Sequence, residues 1–249
     1  MKILISGYGR MGKEVERSAL ESGHQIIGIY DNAKDWDDKA ELIPQCDVVI
    51  DFSLPAEAPR NIIRSIDNHK PIVCGTTGWY DQLSFISNYV GQKHGALFYA
   101  PNFNLGVNIF MNLSEILADI MKDYPQYEPA ITEIHHTRKL DAPSGTAIAL
   151  AERLIKNLPQ KYEWTKCEEG EQALPHQIPI TSIREDDITG IHTLEFRSKD
   201  DRITLTHEAF DRSGFAIGAI MAAQWLLGRK GIFNMNDLLK NHPTITDIA

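Results

Sequence analysis

The segment from Glu133 to Ala147 concentrates side chains that could bind an anion and deliver a proton. Its sequence is EIHHTRKLDAPSGTA, which combines adjacent histidines, two cations, two acids and a Ser-Gly-Thr turn. Histidine titrates near neutrality, lysine carries a charge and donates protons, and hydroxyls and free backbone N–H groups donate hydrogen bonds. This combination indicates a site for an anionic substrate that also receives a proton.

The residues of this segment allow two other interpretations. His135 and His136 could be metal ligands, but the chain has no HExxH pattern and no Cys/His spacing typical of a metal site, so we predict no metal. Arg138 and Lys139 could form an ordinary solvated face.

A helix start follows the two histidines. The residues from 130 to 136 predict a strand, which would point the two histidine side chains to opposite sides. A helix is predicted over 144–157, with Ser144 as its N-cap. Gly145 and Thr146 would then lie at the positive end of that helix, where backbone N–H groups favour a carboxylate.

A glycine-rich loop near the N-terminus fits the phosphate-binding turn of a dinucleotide domain. It follows a predicted strand and opens a predicted helix, and its residues are Gly7, Tyr8, Gly9, Arg10, Met11 and Gly12. The glycines allow a tight turn, close approach to a pyrophosphate, and close packing of helix on strand. Asp31 ends the next predicted strand, where a carboxylate accepts ribose hydroxyls. We predict binding of NADH and/or NADPH, and favour NADH because Asp31 would repel a 2′-phosphate.

Two further turns extend the predicted cofactor site. In an open α/β sheet, ligands bind outside the carboxyl ends of the strands. Each turn follows a predicted strand, and the residues concerned are Gly75, Thr76 and Thr77 in one turn and Ala100, Pro101, Asn102 and Phe103 in the other. Either turn alone would indicate only an ordinary loop, whereas the two together favour the prediction that they line one wall of the cofactor site.

Composition excludes several classes of function. The chain has 249 residues, is 43% hydrophobic and carries a formal net charge of −9. Clustered cations for a nucleic-acid backbone are missing, and no apolar run approaches the ~20 residues of a membrane span. Cys46, Cys74 and Cys167 are widely separated, which indicates reduced thiols in a cytoplasmic protein.

The predicted elements indicate two domains. Short apolar strands alternate with helix-compatible segments in the N-terminal part, which predicts a parallel α/β sheet. Those strands are Lys2–Ser6, Gln25–Tyr30, Cys46–Phe52, Pro71–Cys74 and Ala96–Ala100, with a helix from near Arg10 to about Ser22 and a short connection over 31–45.

Later segments predict an α+β domain. They are a helix over Gly106–Lys122, strands over Ile178–Ile183, Ile191–Arg197 and Arg202–Ala209, the last two forming a hairpin, and a helix over Gly214–Leu227 that returns to the first domain. We therefore predict a Rossmann-like dinucleotide-binding domain over 1–103 with about 214–249, and a substrate-binding and oligomerisation domain over 104–213.

These residues together resemble the 4-hydroxy-tetrahydrodipicolinate reductase family, also called dihydrodipicolinate reductase. The most specific part is HHTRKLDAPSGT, residues 135–146, which is similar to the family's HHxxKxDAPSGTA signature. Support comes from the glycine loop, the two turns named above, and the late run RSGFAIGA from Arg212 to Ala219. The resemblance spans nearly the whole chain; the connection after Asp31 is shorter than in long members.

The resemblance implies roles for individual residues. His135 matches the family's general acid/base and Lys139 its proton donor. His136, Lys139, Ser144, Gly145 and Thr146 match substrate-binding positions, whereas Arg212 and Phe215 match further cofactor contacts beyond the N-terminal ones. The implied reaction is NAD(P)H-dependent reduction of a cyclic imine dicarboxylate in lysine biosynthesis, by a cytoplasmic homotetramer.

Two rival functions are less well supported by the residues. A different NAD(P)-dependent reductase or amine dehydrogenase with the same two-domain plan would need another substrate segment than 135–146. A non-enzymatic dinucleotide sensor would need the glycines but no proton donors.

Overall fold

The chain folds into two compact units. The computed structural model describes residues 1–168 and 171–239. The first unit contains Met1–Leu105 and the described residues from Ser213 onwards, and the second contains Gly106–Arg212. Each unit has its own sheet and its own core. Within the described residues, no helix is both long and apolar enough to cross a membrane.

The first unit is built on a parallel six-stranded sheet. Its strands are β1 (Lys2–Ser6), β2 (Gln25–Tyr30), β3 (Val48–Asp51), β4 (Ile72–Cys74), β5 (Ala96–Tyr99) and β11 (Gly231–Phe233). Their order is β11-β5-β4-β3-β1-β2, so the direction of winding reverses between β1 and β3. The strands are short and almost wholly apolar because helices cover both faces, as is usual for parallel sheets. The predicted Rossmann-like α/β class is confirmed.

Helices pack on both sides of this sheet. They are α1 (Arg10–Glu21), α2 (Asp35–Asp38), α3 (Ala58–Asp67), α4 (Leu83–Gln92), α7 (Ser213–Leu226) and α8 (Met235–Leu239), with 3₁₀ turns at Ala40–Gln45 and Tyr80–Gln82. Side chains of α1 and α7 meet Ile3, Ile5 and Phe98 on one face. Side chains of α3 and α4 meet Leu4, Val49 and other residues on the opposite face. The alternation of strand residues between two apolar layers explains why the strands lack a polar side.

The second unit packs two helices on one face of a mixed sheet. Its elements are α5 (Leu105–Met121), β6 (Glu128–His135), α6 (Gly145–Asn157), β7 (Glu163–Cys167), β8 (Gln177–Arg184), β9 (Gly190–Arg197) and β10 (Arg202–Ala209). The strand order is β10-β9-β6-β8-β7. The neighbours β9 and β10 pair antiparallel around the predicted hairpin, whereas β6 and β8 run parallel. Alternate residues such as Ile131, Leu194 and Phe196 form the core with both helices.

Several predicted bounds need correction. β3 is shorter than the predicted Cys46–Phe52, and Phe52 instead begins the loop at the end of that strand. β6 ends at His135, so His136 lies in the following loop and the two histidines are not successive strand residues. β7, β11 and α8 were not predicted, because each is short and its apolar residues do not stand out from the flanking segments.

Candidate active site

The carboxyl ends of the parallel strands bring the predicted cofactor residues to one edge of the first sheet. Gly7 follows β1, Asp31 follows β2, Gly75 follows β4 and Ala100 follows β5. Phe52 follows β3 between them, although the sequence did not single it out. This edge is where open α/β sheets bind ligands, at the point where the strand order reverses.

The glycine loop is shaped for an anion. Gly7 has a positive φ of 86°, and a Cβ there would overlap the backbone of Phe52. A Cβ on Gly12 would overlap the carbonyl oxygen of Gly7, whereas one on Gly9 would meet open space. Gly9 is the N-cap of α1, whose first turn contains no acidic residue. The loop therefore leaves the positive end of a helix open to a phosphate group.

A cavity of about 460 Å³ lies beside this loop. Its lining includes Gly7, Tyr8 and Gly9 from the loop, Asp31 from the end of β2, and Trp36. The backbone N–H of Tyr8 donates to Oδ1 of Asp31 at 2.7 Å, which fixes the carboxylate at the cavity wall. The open glycine cradle, the helix end and the fixed carboxylate together fit the phosphates and ribose of a dinucleotide.

Two of the predicted cofactor residues point into the interior of the first unit. The hydroxyl of Thr76 donates to Oδ2 of Asp51 at 2.8 Å, and the ring of Phe103 is buried against Phe52 and Phe98. Their side chains thus support the two turns. Ala100 is buried as well. Six further predicted positions are exposed or half-buried, and they are Arg10, Met11, Thr77, Pro101, Asn102 and Phe215. Arg212 is exposed and is the last residue of the second unit.

In the second unit, Ser144 caps α6 as predicted. Its hydroxyl accepts the N–H of Ala147 at 3.2 Å and lies 3.2 Å from Nε2 of His192. The N–H groups of Gly145 and Thr146 remain at the helix start without intrahelical partners. Gly145 is exposed and Thr146 is half-buried. Two adjacent N–H groups at the positive end of a helix suit a carboxylate.

A buried carboxylate organises the end of β6. Glu133 is fully buried; its Oε2 contacts Nδ1 of His135, and its Oε1 accepts from Nη2 of Arg184 at 2.9 Å. Burial by itself would raise the pKa of Glu133, but the hydrogen bonds from His135 and Arg184 outweigh it and lower that pKa to about 2. The group is therefore an ionised carboxylate at neutral pH.

His192 is a second buried histidine next to this pair. Its ring lies 5.1 Å from the ring of His135 in an edge-to-face arrangement. Burial, followed by repulsion from His135, lowers the pKa of His192 from 6.5 to about 4. His192 is therefore neutral at physiological pH and acts in the site as a hydrogen-bonding group beside Ser144.

The loop between β6 and α6 carries the remaining predicted residues. Nζ of Lys139 lies 2.8 Å from both carboxylate oxygens of Asp141. The backbone N–H of His136 donates to the carbonyl of Ile188 at 2.7 Å, whereas Nδ1 of His136 is buried and has no hydrogen-bond partner in the part of the chain that the structure describes. Arg138 is exposed and pairs with Asp187. Across residues 1–168 and 171–239, no cluster of His, Cys, Asp and Glu is arranged as a metal site.

The structure thus gathers His135, Lys139 and the start of α6 in one unit, and adds three residues that were missed. These residues are Glu133, Arg184 and His192. They lie within strands, where the sequence shows only an alternation of apolar and polar residues. Glu133 opposes His192 across β6 and β9, and His135 opposes Arg184 across β6 and β8. Cross-strand pairing of this kind is the signal that could have found them.

Comparison with protein families gives two matches that together cover most of the chain. The family described as "Dihydrodipicolinate reductase, N-terminus" matches residues 1–103, and "Dihydrodipicolinate reductase, C-terminus" matches residues 106–239. The second match includes residues from Ser213 onwards that pack in the first unit.

Curated relatives carry the same family name. A 4-hydroxy-tetrahydrodipicolinate reductase of Christiangramia forsetii is 39% identical over 97% of this chain and 98% of its own length. One from Archaeoglobus fulgidus is 33% identical over 96% of this chain and all of its own length.

A solved structure supports the fold. The dipicolinate-bound dihydrodipicolinate reductase of Paenisporosarcina sp. TG-14 superposes with a TM-score of 0.76 at 20% identity, covering 94% of this chain and 97% of that one. The matches in both parts of the chain and the full-length relatives lead to one conclusion: the chain belongs to the dihydrodipicolinate reductase family.

Proposed function

We propose that this protein is a 4-hydroxy-tetrahydrodipicolinate reductase of the diaminopimelate route to lysine. It reduces (2S,4S)-4-hydroxy-2,3,4,5-tetrahydrodipicolinate to (S)-2,3,4,5-tetrahydrodipicolinate with loss of water, using NAD(P)H. The observation that carries the proposal is the junction of β6 and α6, where proton donors and free helix N–H groups lie on one short segment. Its relatives in the same family bear the name of this enzyme.

The start of α6 holds one substrate carboxylate. The N–H groups of Gly145 and Thr146 donate to it, and the dipole of a 13-residue helix adds attraction. Ser144 contributes indirectly, because its hydroxyl caps the helix and keeps these N–H groups in place.

Lys139 provides the positive charge of the site. Its ammonium group is bound by Asp141, which is mostly exposed, so a substrate carboxylate can replace that partner without burying an unpaired charge. Nδ1 of His136 has no partner among the described residues and can hydrogen-bond to the same ligand.

His135 and Lys139 handle the proton. The reduced nicotinamide supplies the hydride when it is bound, and the reduced product then needs one proton. His135 and Lys139 are the proton donors of the segment, and the ionised Glu133 beside His135 stabilises an imidazolium. The protein orients the substrate, neutralises its charge and delivers the proton.

We propose NADH as the preferred cofactor. The cavity beside the glycine loop is lined by two carboxylates, Asp31 and Glu57, and none of its described lining residues is Lys, Arg or His. Two cations on neighbouring segments are already paired, Lys34 with Asp38 at 3.4 Å and Arg64 with Asp37 at 3.6 Å. A 2′-phosphate in this cavity would therefore meet negative charge, with no cation among the described lining residues.

The site residues separate into two groups under this proposal. The second unit supplies substrate contacts and proton donors, and the first supplies cofactor contacts at its sheet edge: Gly7 to Gly12, Asp31, Gly75 to Thr77, Ala100 to Phe103 and Phe215. Arg212, at the end of the second unit, completes the cofactor set.

We also propose a cytoplasmic homotetramer assembled through the open face of the second sheet. Four threonines form a row across that sheet, Thr181, Thr132, Thr193 and Thr206, at exposed or half-buried positions. A flat β-branched surface can pack against a copy of itself. Light scattering should give the mass of four chains, and Thr132→Lys should reduce it; a monomeric wild type would exclude this assembly.

The reaction is tested by following NADH absorbance with freshly generated hydroxytetrahydrodipicolinate. NADH loss should depend on that substrate. In His135→Ala and Lys139→Ala, kcat should fall roughly 10²-fold or more, with NADH affinity unchanged. A protein that binds NADH but shows no substrate-dependent oxidation would instead be a dinucleotide sensor. Full turnover in both variants would remove the proton-donor roles.

A further inference from the structure

Glu133 uses both carboxylate oxygens inside the second unit. Oε2 contacts Nδ1 of His135, and Oε1 accepts hydrogen bonds from Nη2 of Arg184 at 2.9 Å and from the backbone N–H of Ser144 at 3.2 Å. The side chain has no exposed surface. Its carboxylate therefore touches both the proposed proton donor and the cap residue of the helix that holds the substrate.

We propose that Glu133 is the positioning residue of the reaction: it holds His135 in the Nδ1–H tautomer and anchors the N-terminus of α6 through Ser144. The atom of His135 that exchanges a proton with the substrate is then Nε2. The role of His135 in turnover rests on the proposed function. The tautomer of His135 does not, because it is a property of the folded protein.

The tautomer follows from hydrogen-bonding capacity. An ionised carboxylate only accepts hydrogen bonds, so Nδ1 of His135 must carry the hydrogen that lies between it and Oε2. The neutral ring then has its lone pair on Nε2. A histidine whose partner fixes the wrong tautomer loses about 10⁴-fold in turnover in serine proteases, although its geometry is intact.

The surroundings of Arg184 decide how an amide would sit in the place of Glu133. Arg184 also donates to the carbonyls of Lys139 at 3.3 Å and Asp141 at 2.6 Å, which prevents it from turning away. Two donors, Arg184 and the N–H of Ser144, thus face the position of Oε1, and Nδ1 of His135 faces the position of Oε2. The hydroxyl of Ser182, the neighbour of Glu133 on β8, also lies near this side chain, but a hydroxyl can donate or accept and so suits either orientation of an amide. In Glu133→Gln the amide oxygen must face the two donors, and its NH₂ group must face His135.

An NH₂ group beside Nδ1 reverses the tautomer of His135. Nδ1 must then accept a hydrogen bond, so the neutral ring carries its hydrogen on Nε2. If His135 were protonated on both nitrogens, its Nδ1–H would face an N–H of the amide, and neither group could accept a hydrogen bond from the other. The variant keeps the shape of the side chain and loses the acid form of His135.

Nitrogen-15 NMR of the imidazole rings tests the proposal directly. Correlation spectra distinguish a protonated ring nitrogen from an unprotonated one, and His135 can be identified among the nine histidines from the spectrum of His135→Asn. The neutral wild-type ring should carry its hydrogen on Nδ1, and Glu133→Gln should move it to Nε2. The control Glu115→Gln, which removes a carboxylate paired with Arg153 in the same unit, should leave the His135 signals unchanged.

The effect of Glu133→Gln on turnover is measured independently of the His135 tautomer. With the substrate assay, Glu133→Gln should lower kcat roughly 10²- to 10⁴-fold, with KM for NADH unchanged. An Nε2–H tautomer in the wild-type protein overturns the proposal, whether or not Glu133→Gln folds. A reversed tautomer with full turnover also overturns it, whereas the absence of any turnover in the wild type refutes the proposed function and leaves the tautomer result valid.

Discussion

Acid sensitivity of the second unit should originate at His192. This side chain is buried beside Ser144 and His135, and it has a pKa near 4 instead of 6.5 because of burial and then repulsion from His135. Between these two pH values the unfolded chain binds a proton that the folded chain does not. The free energy of unfolding therefore falls as the pH falls from 6.5, and the loss is complete once the folded His192 is also protonated below about 4.

The size of the effect follows from the interval between the two pKa values. At about 1.4 kcal/mol per pH unit, it amounts to roughly 3 kcal/mol in total, and to roughly 2 kcal/mol between pH 7 and pH 5. Glu133 contributes little in that range, because its pKa is depressed from 4.5 to about 2 and its stabilisation is lost only at lower pH. Burial also lowers the pKa of His207 in the same unit, so the interval from pH 7 to 5 reports both histidines, and the contribution of His192 is the difference between the wild type and a His192 variant.

His192→Gln tests this account, since an amide near the position of Nε2 keeps a polar partner for Ser144 and has no proton to gain. Urea unfolding should be followed by hydrogen exchange of peptides from β6 and β9, so that only the second unit is measured. The pH dependence should become shallower by roughly 2 kcal/mol in His192→Gln. It should persist in the control His176→Gln, a partly exposed histidine stacked on Tyr162. Parallel curves for wild type and His192→Gln would refute the reasoning.

Three further changes probe other parts of the site. Gly145→Pro removes one helix N–H at a position that tolerates proline, so KM for the substrate should rise roughly 10- to 100-fold, whereas Gly145→Ala, whose Cβ meets open space, should not change it. Asp31→Asn keeps the acceptor for Tyr8 and removes the charge, so the NADPH-to-NADH ratio of kcat/KM should rise roughly tenfold; an unaltered ratio would exclude Asp31 from cofactor choice. Gly190→Ala would place a Cβ 2.9 Å from Nε2 of His135, and we expect kcat to fall roughly 10- to 100-fold while urea unfolding shows a folded protein.

The sequence predicted best those features that depend on local chemistry or on strand ends. The glycine loop and the cap at Ser144 are local patterns, and the cap was confirmed with its hydrogen bond to Ala147. The turns at Gly75 and Ala100 lie at the same sheet edge because parallel strands end there. Such positions can be read from the order of elements alone.

The residues that were missed depend on pairing between distant strands. Glu133 sits inside an alternating strand and looks like a solvent-facing acid until β8 and β9 supply Arg184 and His192 beside it. Trp36 lines the cofactor cavity from α2, a helix of only four residues within the connection that the sequence predicted to be short. In both cases tertiary contacts decide the role, and residue type alone does not.

The return of the chain at Ser213 has a consequence for how the protein forms on the ribosome. Residues of α7 such as Ala219, Ala223 and Leu226 cover one face of the first sheet, and β11 extends that sheet beside β5. All of these are synthesised after the whole second unit and leave the ribosomal tunnel after it. The N-terminal strands therefore keep an uncovered apolar face until α7 emerges. Before that point, Gly106–Arg212 has emerged with its sheet and both helices complete. The second unit is thus the first that can close during translation, and the cofactor-binding unit matures last.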